Sequence, residues 1–189
     1  MTLISRFIGL FILALAPLLI AQSDLYYLSK NAAGSQPLLM GHSYSAIAED
    51  AYALFSNPAG LAMRGGSLHI DNLGLSNKHS ENQQSQLLYL SPFAIGHTAY
   101  QDLNGSKVNT FAIGYGKKGK KGIDWGINYK SIQESGPFSK SANSSDIGLL
   151  FNISKHYKLG LVGRDFVNDS DIPLSVISDF SYFSENDLL

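Results

Sequence analysis

The chain has no cysteine, so neither a disulfide framework nor a thiol for lipid anchoring or soft-metal binding is available. Charge is sparse, at 15% of residues with a net of −1, and gives no sign of the basic surface that a nucleic-acid binder needs. There is a single tryptophan, and six prolines in 189 residues. Beyond the first two dozen residues no apolar run is long enough for a transmembrane helix. What is plentiful is glycine, 18 residues, with ten tyrosines and ten phenylalanines. Glycine and aromatics with few charges suit β-barrel membrane proteins and equally suit secreted β-sandwiches.

The start of the chain has its own pattern. Residues 7–20 are apolar, Arg6 precedes them and Pro17 interrupts them near the end. The run is short for a spanning helix and reads as a secretory signal over residues 1–23, cut after Ser23 or after Ala21. An exported chain without disulfides needs another source of stability, which a closed barrel in lipid supplies.

From Ser67 onward, alternation predicts strands at 67–75, 85–90, 93–101, 108–116, 122–133, 145–154, 157–166 and 173–183. In the fifth, Ile123, Trp125, Ile127 and Tyr129 oppose Asp124, Gly126, Asn128 and Lys130. In the sixth, Ile147, Leu149, Phe151 and Ile153 oppose Asp146, Gly148, Asn152 and Ser154; in the seventh, Tyr157, Leu159 and Leu161 oppose Lys158, Gly160 and Arg164. A barrel in lipid turns the apolar set outward; a sandwich turns it inward; periodicity fits both. Connections discriminate better. Longer links at 76–84, 102–107, 134–144 and 167–172 alternate with tight ones near 91–92, 117–121 and 155–156. That regularity predicts an up-and-down meander with a loopy rim and a tight rim, the long loops lying outside the cell. Five strands also carry an apolar-Gly-apolar step, centred on Gly74, Gly114, Gly126, Gly148 and Gly160. These glycines are expected on the face away from lipid, either for close approach of an inner segment or for sheet coiling.

Residues 40–62 read MGHSYSAIAEDAYALFSNPAGLA. Ala46, Ala48, Ala51, Ala53 and Leu54, with Glu49 and Asp50 near the start, predict a helix over 44–55. Asn57 precedes Pro58 and is pushed out of the helical region, so the helix should stop there, and Gly60 supplies a turn. The core Ala48-Glu49-Asp50-Ala51 and the ending Phe55-Ser56-Asn57-Pro58-Ala59-Gly60-Leu61-Ala62 resemble the N-terminal signature of outer-membrane β-barrels of the FadL-like superfamily, and within it the PorV/PorQ group. The runs Ile123-Asp124-Trp125-Gly126-Ile127-Asn128-Tyr129-Lys130-Ser131-Ile132 and Lys158-Leu159-Gly160-Leu161-Val162 look like strands of the latter.

The resemblance implies an all-β fold: an up-and-down antiparallel transmembrane β-barrel over 67–189, with a short N-terminal helical plug over 24–66. It carries over to Glu49, Asp50, Phe55, Asn57, Pro58 and Gly60 as plug residues. It further implies a non-enzymatic protein surrounded by outer-membrane lipid and needing no cofactor or metal. One role is in type IX secretion, with secretion-system proteins as partners. The other is a porin-like or FadL-like channel admitting hydrophobic small molecules. Full members of these families carry about fourteen strands and end on an aromatic residue, whereas eight are counted here and the sequence closes on Ser184-Glu185-Asn186-Asp187-Leu188-Leu189. Two expectations follow, a truncated member or a compact eight-stranded relative. Eight strands leave an interior that side chains alone fill, which weighs against conduction.

An enzyme is the contrasting hypothesis. His42, His69, His79, His97 and His156 are scattered without metal-ligand spacing, and there is no Gly-x-Ser-x-Gly. Asp146, Asp165 and Asp179 are each candidates to meet a His and a Ser across strands, and nothing nominates one set. Lys117-Lys118-Gly119-Lys120-Lys121 is first a solvated hairpin turn and second a contact for anionic lipid or a periplasmic partner. A secreted soluble β-sandwich or adhesion module stands as the alternative class.

Overall fold

The computed structural model describes residues 44–74, 82–101, 106–136, 139–168 and 174–182. The expected signal segment and the stretch up to residue 43 lie outside these, as do His42, His79 and most of the long links.

The described chain is all-β with almost no helix. A one-turn helix α1 (Ala53–Ser56) and a 3-10 helix (Pro58–Ala62) precede eight strands: β1 (Gly66–Gly74), β2 (Asn82–Leu90), β3 (Phe93–Gln101), β4 (Lys107–Lys117), β5 (Ile123–Ser135), β6 (Lys140–Asn152), β7 (Tyr157–Asn168) and β8 (Ser175–Tyr182). They form one antiparallel sheet in sequence order, each strand paired with the next. The sheet is not a closed barrel: β1 and β8 are its two ends.

Two expectations need correction. The 134–144 link is largely strand, because Glu134 pairs with Lys140 and β6 starts five residues early. Its alternation was invisible in hydropathy, since exposed Ser141 and Asn143 flank buried Ala142 and Ser144, and polar side chains stand on both faces. Nor is 44–55 a continuous helix. It forms separate turns, Ile47 N to Tyr44 O (3.1 Å) and Ala53 N to Asp50 O (3.1 Å), and between them side chains take the backbone donors: Tyr52 N donates to Asp50 Oδ1 (2.9 Å) and Ala51 N to Ser67 Oγ on β1 (3.2 Å). These side-chain partners, one within the segment and one on β1, outweigh alanine's modest helix preference.

The tight rim folds as its residues dictate. Lys121 and Gly122 take positive φ, 59° and 76°, and Ile123 N closes onto Lys120 O at 3.3 Å, the geometry a two-residue hairpin turn requires. Between β6 and β7 the register slips: Ser145 faces Val167 while Ile147 faces Gly163, so two steps on β6 span four on β7. Asp165 lies in that bulge with φ 59°, and side chains of both Arg164 and Asp165 turn to the same face.

The two faces of the sheet carry opposite chemistry. Ile127 is 46% exposed and its neighbour Asn128 is 2% exposed. Phe111, Ile113, Trp125, Tyr129, Ile147, Val176 and Phe180 are exposed on one face, while Asp124, Lys130, Ser144, Asp146 and Asp165 are buried on the other. Along β5 the exposed apolar stretch runs from Ile123 to Tyr129, about 20 Å at strand rise, and then gives way to Ser131 and Gln133. The polar face is concave. Ser45 bonds to Asp179 on β8 and Ala51, six residues on, bonds to Ser67 on β1. Six residues reach at most about 20 Å, whereas the edges of a flat eight-stranded sheet lie roughly 34 Å apart, so the sheet curls around the segment.

Candidate functional site

The concave face is occupied by residues 44–62, nearly all of them buried. Its floor is a trough. Gly116 on β4 pairs with Gly126 on β5, which pairs with Gly148 on β6, so three glycines line up across neighbouring strands. A Cβ on Gly116 would sit 2.5 Å from Ala62 N; on Gly126 it would overlap the Pro58 carbonyl, and on Gly148 the Asn57 amide. The 3-10 helix therefore rests on backbone, at a distance no side chain permits. Gly114 and Gly96 receive Leu54, and Gly160 faces Ser45 O, where a Cβ would stand 2.6 Å away. Gly60 lies closer still to Ala48 O within the segment itself, where a Cβ would overlap the carbonyl.

Gly74 departs from the other four singled out in the sequence. It pairs with Asn82 at the end of β1, in register with exposed Leu68 and Ile70, and so falls on the opposite face. Conversely Gly96 and Gly116 line the trough although neither has the apolar-Gly-apolar signature; His97 and Lys117 follow them. Parity with Ala94 and Gly114 was the signal that would have found them.

Polar side chains on the strands satisfy the segment's backbone. Asn57 is fully buried: its Nδ2 donates to Ser45 O (2.8 Å) and Leu149 O (3.1 Å), and its Oδ1 accepts from Ala59 N (3.1 Å), capping the 3-10 helix. Asn128 Nδ2 donates to Leu54 O at 2.6 Å and Arg164 to Phe55 O at 3.2 Å. Tyr89 OH donates to the Leu61 and Met63 carbonyls. A one-turn helix leaves its carbonyls without intrahelical partners, and these donors meet them. At the edges, Ser45 N and Oγ donate to Asp179 (2.9 and 2.6 Å), Glu49 pairs with Lys158 on β7, and Tyr52 OH donates to Asp71 on β1. Asp50 accepts from Tyr44 OH (3.0 Å) and lies 3.9 Å from His69, whose ring packs on Tyr52. Burial first, and then the Asp50 carboxylate beside it, push the Tyr44 phenol well above its usual range, so it remains a donor. Glu49, Asp50, Phe55, Asn57, Pro58 and Gly60 thus all belong to one body packed on one face.

Above the trough sits a buried charge network. Lys130 Nζ lies 2.8 Å from Asp146 and 3.3 Å from Asp165. Asn128 donates to Asp146 (2.9 Å), Asp165 N donates to Asp146 Oδ1 (3.0 Å), and Ser144 donates to Asp165. The three aspartates considered for a hydrolytic set are therefore held by Lys130, Ser144 and Ser45. Among the described residues no group of three His, Asp or Glu forms a metal site.

Fold and site together define an all-β protein whose described residues form one eight-stranded meander curled around the segment that precedes it. Comparison with protein families, with curated proteins and with solved structures finds no match to this chain.

Proposed function

We propose that this is a non-enzymatic outer-membrane β-barrel protein, exported by a cleaved signal, with residues 44–62 as its plug. The observation that carries the reading is the inverted distribution of side chains: charge and amide inside, leucine, isoleucine and aromatics outside. In water that outer face would be an apolar patch far beyond what a soluble monomer exposes, whereas in lipid it is the required exterior. The packed plug favours a PorV/PorQ-like role, in which the protein holds or hands over secreted cargo, because the segment covers the glycine-lined part of the concave face, where a channel would otherwise run. The sequence resemblance points the same way.

The test is expression with the native signal. Recovery in detergent-extracted outer membrane, with mobility on gels that changes on heating, is the expected result. Recovery in the soluble periplasm or the medium would overturn the membrane reading in favour of a secreted adhesion module.

A further inference from the structure

We propose that the tight-turn rim is a docking surface for the phosphates of anionic lipids. This rests on the membrane reading and adds to it a lipid class and a place. Six cations crowd this rim: Arg64 ahead of β1, Lys117, Lys118, Lys120 and Lys121 between β4 and β5, and Lys155 between β6 and β7. All six are exposed, and among the described residues none makes an ion pair. The carboxylate nearby in sequence, Asp124, is buried and accepts from Gly119 N (3.2 Å) and Asn152 Nδ2 (3.0 Å). At the opposite ends of the strands, by contrast, Lys140 stands across from Glu134 in register.

A second feature locates the membrane surface beside these cations. Just inside the rim the outward rings form two runs: Phe93 with Tyr115 (5.2 Å) and Tyr115 with Trp125 (6.0 Å), then Phe180 with Tyr157 (5.7 Å) and Tyr157 with Tyr182 (5.2 Å). Aromatic rings favour the headgroup level of a bilayer. Lys117 stands directly across from Trp125 in the β4–β5 register, so its flexible stem leads from the ring level outward to where phosphates lie. An acidic protein partner would account for the cations alone; lipid accounts for cations and rings together.

Trp125 is the only tryptophan in the chain and serves as the reporter. The full-length protein is refolded into vesicles of equal phosphatidylcholine and phosphatidylglycerol, with brominated acyl chains on one lipid at a time. The expected result is about twofold stronger quenching when bromine is on phosphatidylglycerol, a preference lost at high salt and in the Lys117→Gln/Lys118→Gln/Lys120→Gln variant. Equal quenching by the two lipids in the native protein overturns the proposal, as does a preference that survives both salt and substitution. Absence of quenching by either lipid sinks the membrane reading itself. The salt titration needs no variant, so a triple mutant that fails to refold leaves the test intact.

Discussion

At the scale of single residues, Asn57 carries two roles in one side chain. It caps the 3-10 helix through Oδ1 and ties two distant backbone carbonyls through Nδ2. The two roles separate by substitution. Asn57→Ser keeps an acceptor for Ala59 N and loses the tether; Asn57→Ala loses both and should cost about 1–3 kcal/mol, measured by urea titration of the refolded protein. Asn57→Asp should be the worst of the three, because it sets a carboxylate oxygen against the Ser45 and Leu149 carbonyls. Stability of Asn57→Asp equal to that of Asn57→Ser would refute the tether. The sequence showed that a helix must stop before Pro58, since that follows from the ring of proline. It did not show what Asn57 touches, because Leu149 lies 92 residues away and no local pattern encodes such a distance.

At the scale of elements, the strands were legible nearly residue by residue wherever one face is apolar. β3 matches its expected limits, and β7 and β8 come within two residues. Legibility failed at β6, where serine and asparagine serve on both faces, and at 44–55, where alanine's helix preference met stronger side-chain partners. Depth along one strand offers a test of what surrounds the outer face. Ile127 lies within the apolar stretch of β5 and Ser131 two dyads further along the same face. Ile127→Arg should destabilise the protein refolded in vesicles by about 2–4 kcal/mol and Ser131→Arg by about 0–1 kcal/mol. Equal effects in the same titration would mean that the outer face meets water throughout.

At the scale of the whole molecule, periodicity gave two faces and could not say which was inside; that needed the 44–62 segment seated on the polar one. The seat is made of missing side chains, so filling it should unseat the segment. Gly126→Ala and Gly148→Ala, which place a Cβ against Pro58 and Asn57, should each cost about 1–3 kcal/mol and speed protease cleavage within 44–62. Gly163→Ala, whose Cβ would meet Ile147 and no residue of the segment (Cγ2 at 3.3 Å, carbonyl O at 4.0 Å), is the control and should leave the cleavage rate nearly unchanged. Cleavage equally slow in all three would show that the trough does not hold the segment.

The trough also bears on the order in which the molecule assembles. Glu49 finds Lys158 across 109 positions and Ser45 finds Asp179 across 134, so the anchors at the front of the segment belong to the last strands of the described chain, while Ala51 and Tyr52 bond to β1. Closing loops of that length is slow, and their contacts give nothing back until the ends meet. The first described stretch to emerge in synthesis therefore completes its seat only after β7 and β8 exist, although its contacts with β1 are local. Until then the apolar residues at the front of the segment lack their final cover, and its full docking comes late in folding.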